Sequence, residues 1–328
     1  MLFPFISLFL LCTSRMNMAT SESPGDTTSG DGTNDGNYYV LNDGNKLPKV
    51  GLGVYRADPG KETYRSVQWA LKVGYRLIDT AAMYGNEHDV GQAILDSGIP
   101  RTEIFITTKL NTDSHGYHTA LQAANECLAK LQTTYIDLLL IHSPYGEKIV
   151  ETWDALLALQ KEGKAKSIGV SNFGIPHLEA LREHHRPMPA VNQFEMHPLI
   201  FKSRHELIEY CQQHQILITA YGSLFSGERN RFRDPFLQEL AQKYSKTVPQ
   251  ILLRWALDNG FAVIPKSTSS KERLEENWNV LDFSLSNEEV RQISQMPGEP
   301  LDEYWDPVNN AEVDLGDLDL SKDTHHWG

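Results

Sequence analysis

The sequence predicts one closed (β/α)8, or TIM, barrel, and three observations lead there. Short apolar runs alternate with amphipathic helical stretches along most of the 328 residues. The runs are continuously apolar, which parallel strands covered on both faces require. Eight of them fall within about 230 residues with no linker between, which favours a closed single-domain barrel over a doubly wound sheet.

The order begins with a hairpin. Tyr38-Tyr39-Val40-Leu41 and Lys46–Val50 flank Asn42-Asp43-Gly44-Asn45, residue types that suit a tight turn between strands. Strands then follow at Gly51–Tyr55, Arg76–Thr80, Ile104–Lys109, Ile136–His142, Ser167–Ser171, Ala190–Glu195, Ile216–Tyr221 and Phe261–Pro265. Helical periodicity fills the gaps at Thr63–Val73, Glu87–Leu95, His118–Leu131, Ile149–Lys161, Pro176–His184 and Lys202–Gln212. It continues through Leu237–Tyr244, Val248–Leu257, Lys271–Val280 and Asn287–Met296.

The ends differ in kind. Leu2–Leu11 is apolar but far short of the ~20 residues that span a bilayer. It reads as a signal peptide lacking a basic residue before the apolar run, or as sequence upstream of a start at Met16 or Met18. The chain has no Asn-x-Ser/Thr sequon, and Cys12, Cys127 and Cys211 make no disulfide framework. A cytoplasmic setting is expected, with a cleaved signal left open. Three segments result: 1–36, an apolar stretch and polar tail; 37–297, the barrel; and 298–328, an acidic tail. The last is expected near the substrate mouth, with Tyr304 and Trp305 packed there and the final ten residues, Trp327 included, disordered.

Composition narrows the function. Hydrophobic residues at 40% and charged residues at 22% are globular proportions, which excludes disorder for most of the length. Lys plus Arg is 30 against 43 Asp plus Glu, a net charge of −13 that repels a phosphate backbone. Nucleic acid and membrane are therefore not expected partners. A small molecule is.

In barrels of this kind the C-terminal strand ends form the mouth where chemistry collects. Those ends read Asp79, Lys109, His142, Ser171-Asn172, Gln193, Tyr221 and Lys266. One such residue would be a satisfied structural group, but seven in succession point to a site. Asp79, Tyr84, Lys109 and His142 together suggest acid–base chemistry. A phenol titrates near 10, too high for easy proton exchange at neutral pH. A nearby lysine ammonium is expected to lower that value, while a buried aspartate holds the lysine. A neutral histidine can orient a carbonyl oxygen or relay a proton. Such a group would protonate an alkoxide as hydride arrives at carbon. Taken singly, Tyr84 is a loop aromatic and Lys109 a snorkelling strand end.

The segments Leu77-Ile-Asp-Thr-Ala-Ala-Met-Tyr-Gly-Asn-Glu87, Thr107-Thr-Lys-Leu110, Asp137-Leu-Leu-Leu-Ile-His-Ser-Pro144, Gly169-Val-Ser-Asn-Phe173, Asn192-Gln193 and Ile264-Pro-Lys-Ser267 resemble the aldo-keto reductase family, in the family's order and over roughly residues 38–300. The resemblance implies an NADPH/NADP+ cofactor and a hairpin closing the barrel bottom. It implies Tyr84 as general acid with Asp79, Lys109 and His142 as partners. Ser171, Asn172 and Gln193 are similar to the carboxamide-binding trio, and Tyr221 to the aromatic under the nicotinamide. Leu224 and Ser226 match the pyrophosphate belt by position. Lys266, Ser267, Arg273, Glu276 and Asn277 resemble the clamp on the adenosine 2′-phosphate and adenine, where cations beside a helix start suit a phosphate.

The chain departs from the family in places. Gly222-Ser223-Leu224-Phe225-Ser226 replaces the common Ser-Pro-Leu-Gly, so the belt is expected to close differently. The stretch from Lys266 to Arg273 is one residue longer than usual, which puts the register of Arg273 in question. Tyr55 and Ser143 stand where many animal members carry tryptophan, and with His142 they are the expected substrate contacts. Only 29 positions separate His142 from Ser171, so the long first substrate loop is expected to be absent and the site open.

Other chemistries fit poorly. Gly51-Leu52-Gly53 lacks the third glycine of a dinucleotide fingerprint and reads as a tight strand entry. His184-His185 and His325-His326 have no partners at ligand spacing, so no metal is expected. Gly222-Ser223 is no nucleophile elbow, and Glu275-Glu276 reads as a solvated helix face. The leading expectation is a monomeric NADP-dependent alcohol dehydrogenase or aldehyde reductase. The alternative is an NADPH-binding regulatory module with slow turnover, as in the potassium-channel β subunits of this superfamily.

Overall fold

Two antiparallel strands come first among the described residues, β1 (Tyr38–Val40) and β2 (Lys46–Pro48), with Tyr39 opposite Leu47. Gly44 takes φ +85° in the turn between them, a conformation its neighbours with side chains would strain to adopt. The computed structural model describes residues 36–268, 270–298, 306–313 and 315. Tyr304, Trp305, Trp327 and the apolar run Leu2–Leu11 lie outside the described residues.

Eight parallel strands follow: β3 (Leu52–Gly53), β4 (Leu77–Asp79), β5 (Phe105–Leu110), β6 (Ile136–Ile141), β7 (Ala165–Ser171), β8 (Val191–Glu195), β9 (Leu217–Tyr221) and β10 (Ala262–Val263). They pair in sequence order, and parallel bridges Val50↔Val263 and Gly53↔Lys266 join the last strand to the first. The barrel is closed. The glycines at this seam are there for space: a Cβ on Gly53 would lie 2.6 Å from Ile264 O, and one on Gly51 2.4 Å from Leu77 Cγ. Strands β3 and β10 are shorter than the sequence suggests because the chains touch at the seam through single bridges rather than a ladder.

Alternation along the strands sorts the core into two layers. Leu77, Phe105, Leu138, Leu140, Val191 and Ala262 point inward and pack together with Leu41 and Leu47 of the hairpin, which plugs the barrel's N-terminal end. Ile78, Ile106, Leu139, Ile141, Val170 and Phe194 point outward against the helices. Each fully buried side chain of this size stabilises the fold by roughly 1.5–3 kcal/mol relative to exposure.

The helices are α1 (Lys61–Val73), α2 (Glu87–Asp96), α3 (Tyr117–Lys130), α4 (Ile149–Lys161), α5 (Ile175–Glu183), α6 (Pro198–Phe201), α7 (His205–Gln213), α8 (Pro235–Tyr244), α9 (Val248–Asp258), α10 (Lys271–Trp278), α11 (Asn287–Ser294) and α12 (Pro307–Asn310). Thr247 and Ser286 start α9 and α11 with reciprocal capping boxes to Gln250 and Glu289. The helix expected over Lys202–Gln212 is broken by a 3-10 turn at Lys202–Arg204, where Arg204 turns inward onto Asp306. Helices α6 and α12 are too short to show in periodicity.

Candidate active site

Inward-facing positions at the upper ends of β4, β5 and β8 bring Asp79, Lys109 and Gln193 together. Lys109 Nζ donates to Asp79 Oδ1 at 2.6 Å and to Thr80 O at 2.8 Å. Gln193 Nε2 donates to the other carboxylate oxygen, Oδ2, at 2.7 Å. All three side chains are buried. Burial pulls the Lys109 ammonium below its usual range, and the Asp79 charge pulls it back.

Tyr84 reaches this pair from a 3-10 turn, Ala82–Tyr84, that Gly85 ends at φ +69°. Its ring centroid lies 5.2 Å from Lys109 Nζ, 5.7 Å from the His142 ring in an edge-on arrangement and 5.0 Å from the Tyr55 ring. Asn86 fixes the turn: its Oδ1 accepts from Thr80 Oγ1 at 2.8 Å and its Nδ2 donates to Val54 O at 3.1 Å.

The Tyr84 phenol is not lowered, contrary to the expectation from its lysine neighbour. Burial pushes it well above its ordinary value, and the Asp79 charge, Tyr221 and Tyr55 push the same way. Lys109 is bound to Asp79, so the pair presents little net positive charge to the phenol. The result is a phenol held protonated. His142, just past β6, is driven down to about 3 by burial and then by Lys109, so its imidazole is neutral. Its Nδ1 is buried with no hydrogen-bond partner among the described residues.

A second group adjoins the first. Asn172 sits at φ +62°, donates from Nδ2 to His142 O at 3.0 Å and to Ser171 Oγ at 3.1 Å, and accepts at Oδ1 from Tyr221 OH at 2.7 Å. Ser171 Oγ in turn donates to Gln193 O at 2.8 Å. Ser171, Asn172, Gln193 and Tyr221 therefore form one hydrogen-bonded patch.

The loop after β9 carries Leu224 and Ser226. Phe225 and Ser226 both take positive φ, 54° and 49°, and the Ser226 hydroxyl donates to the Glu195 carboxylate. His197 Nε2 stands 3.5 Å from the same oxygen. Burial works against that charge, but the bonds from His197 and Ser226 hold Glu195 below its usual range. The loop is thus tied to the end of β8.

Beyond β10, Lys266 Nζ donates to Arg56 O at 2.6 Å, which ties this loop to the one after β3. Ser267 is buried, its Oγ bonding Ser270 O at 3.3 Å, and Ser270 caps Arg273 N at the start of α10. Asn277 is buried on the same helix, while the Glu276 carboxylate accepts from Thr247 Oγ1 at the start of α9. Glu275 pairs with Lys271 at 3.0 Å.

Of the expected substrate contacts, Tyr55 is 50% exposed beside Tyr84, with Arg56 over its ring at 5.1 Å. Ser143 is buried and accepts from Tyr145 N at 3.3 Å, so its hydroxyl is turned into its own loop. That loop, between β6 and α4, is short, as the residue spacing requires.

Sequence reasoning assigned no part to Glu87 or Glu195. Glu87 is buried and its Oε1 accepts from Thr108 Oγ1 at 2.6 Å. Glu195 is two positions beyond Gln193, and strand alternation alone would have put it on the inner face. Among the described residues no cluster of His, Cys, Asp and Glu could hold a metal ion, and no helix is long and apolar enough to cross a membrane.

The model of the Aldo/keto reductase family matches residues 49–296. The chain belongs to the aldo-keto reductase family. This aldo-keto reductase is 46% identical over 261 residues to the 9,11-endoperoxide prostaglandin H2 reductase of Trypanosoma cruzi, covering 79% of this chain and 91% of that one. It is 43% identical to methylglyoxal reductase DkgA of Escherichia coli, over 78% of this chain and 92% of the relative. Among solved structures, an aldo/keto reductase from Brucella melitensis superposes with a TM-score of 0.74 at 43% identity, covering 78% and 98% of the two chains. A Bombyx mori aldo-keto reductase in complex with NADP gives a TM-score of 0.74 at 39% identity, over 79% and 92%. As a member of this family the chain is an oxidoreductase.

Proposed function

We propose that this protein is a monomeric, cytosolic NADPH-dependent reductase of small aldehydes and ketones, with Tyr84 as general acid. The observation that carries the reading is the run from partly buried Tyr84 to buried Lys109 and Asp79, closed by a neutral His142. Reactive dicarbonyls of the methylglyoxal type are the first substrates to try, since relatives at 42–43% identity are named for glyoxal and methylglyoxal reduction.

The residues suit the cofactor. Lys266 donates one N–H to Arg56 O, and the other two are available to an anion. The patch of Ser171, Asn172, Gln193 and Tyr221 offers amide and hydroxyl groups to a carboxamide and a flat ring to a nicotinamide. Lys266, Ser267, Arg273, Glu276 and Asn277 would hold the adenosine phosphate end, with Leu224 and Ser226 over the middle. When bound, NADPH supplies a hydride to the carbonyl carbon.

The chain supplies the rest. His142, being neutral, can hydrogen-bond the carbonyl oxygen without competing for its proton. Tyr84 OH gives that oxygen a proton as negative charge develops there. Lys109, held by Asp79, stands beside the Tyr84 ring and fixes the position from which the phenol gives up its proton.

The test is to mix the protein with NADPH and either methylglyoxal or 4-nitrobenzaldehyde and follow the nicotinamide absorbance. Rapid loss with formation of the alcohol is expected. Tight NADPH binding without turnover of any carbonyl would favour the regulatory module instead.

A further inference from the structure

The turn that carries Asn172 is held from three sides, and one of them is the C-terminal segment. From behind, Asn192 Nδ2 donates to Phe173 O at 2.9 Å, and Phe173 itself is fully buried. From the helix side, Gly174 N–H donates to His177 Nδ1 at 3.0 Å. A nitrogen that accepts there leaves the ring hydrogen on Nε2, which points at Ala311 O 3.0 Å away. His177 therefore joins the turn to the segment after α12.

The third side is α12 itself. A Cβ at position 174 would lie 2.1 Å from Val308 O, so no side chain fits at 174 while the segment is seated. The backbone there does not ask for glycine, since φ is −84°. Val308 is buried among the core residues. Next to it Asp306 forms an ion pair with Arg204, and these side chains are only 7% and 4% exposed. Asn309 Nδ2 closes on the other Asp306 oxygen at 2.7 Å. Among the described residues Arg204 Nε and Nη1 find no hydrogen-bond partner, and Asp306 is the carboxylate in direct contact with this buried cation.

We propose that residues 306–311 are a latch for the cofactor end of the site. Arg204 clamps Asp306, the clamp seats Val308 and Ala311 against Gly174 and His177, and the seated segment fixes the turn that presents Asn172. Arg204, His177 and Asp306 are positioning residues, acting through Asn172. The inference rests on the reading of Asn172 as a cofactor contact. It gives this part of the C-terminal segment a different duty from shaping the substrate pocket.

Gly174→Ala in the full chain is the cleanest test, because the added methyl meets the segment and leaves no buried charge unpaired. NADPH binding is titrated directly, without aldehyde, alongside a thermal melt. The dissociation constant is expected to rise about tenfold, the loss of roughly 1.4 kcal/mol. At saturating NADPH the Michaelis constant for methylglyoxal should stay within about twofold, since the substrate contacts are untouched. Asp306→Ala should behave alike, and the double variant should be little worse than either, because both release one latch. If Asp306→Ala fails to fold, Gly174→Ala decides alone. An unchanged NADPH constant in folded Gly174→Ala overturns the latch, as does a rise confined to the methylglyoxal Michaelis constant. Failure of the native protein to bind NADPH would instead overturn the functional reading beneath it.

Discussion

The Lys109 ammonium lies 2.6 Å from the Asp79 carboxylate, with only 1% and 4% of the two side chains exposed. Removing either partner leaves the other as an unbalanced charge in the barrel. That makes the pair a stability element as well as part of the proposed catalytic group. Lys109→Met is expected to cost about 3–5 kcal/mol in denaturant unfolding and to lower carbonyl reduction further than the folded fraction explains. A variant with native stability would mean that Asp79 finds another partner.

Tyr84→Phe separates the acid from the scaffold. The ring, and with it the contacts to Tyr55 and His142, stays, while the hydroxyl proposed to give the proton goes. Turnover should fall by roughly 10²–10⁴-fold with the NADPH dissociation constant within about twofold. Native turnover in this variant would assign the acid elsewhere.

His142 gives a pH prediction with a definite sign. Its folded value is depressed to about 3, against about 6.5 for an unfolded chain. The unfolded state therefore binds the proton more readily. The stability this group contributes is complete above about pH 6.5 and is lost as pH falls toward 3, by about 1.4 kcal/mol per unit in that window. The imidazole proton resonances should show no titration between pH 8 and 5. A midpoint near 6 would contradict the buried, neutral assignment.

Lys266→Ala should narrow the preference for NADPH over NADH by about tenfold or more, through NADPH affinity, because a charge-assisted contact contributes ~1.5–3 kcal/mol. Equal dissociation constants for the two cofactors in the native protein would remove the basis of this expectation.

Gly53→Ala tests the seam of the barrel. The methyl would sit 2.6 Å from a backbone carbonyl that cannot rotate away, so roughly 1–3 kcal/mol of stability should be lost. A neutral thermal melt would show that the seam can open to admit it.

The strand order, the hairpin and the grouping of Asp79, Lys109, His142 and Gln193 were legible because each depends on local periodicity and on where a strand ends. Lys202–Arg204 was not. Nothing near Arg204 in the chain announces a partner at Asp306, since the two are 102 positions apart and each looks like an ordinary surface charge. The direction of the Tyr84 shift was also out of reach. It depends on how deeply the ring is buried and on whether Asp79 or the phenol receives the Lys109 charge, and both are matters of three-dimensional placement. The bond that Ser143 Oγ accepts from Tyr145 N was likewise out of reach, because it depends on how the short loop after β6 folds back.

Asp79 is shared between two neighbours, Lys109 on one oxygen and Gln193 on the other. A change at Gln193, a proposed cofactor contact, therefore reaches the lysine through a single carboxylate. Lys266 and Ser267, by contrast, stand on a separate loop, bonded to Arg56 and Ser270 and to none of the Asp79 group. If the proposed cofactor contacts hold, redesign of cofactor choice has freedom at that far loop. At Gln193 the same ambition would have to rebuild the support of the proposed proton donor at the same time.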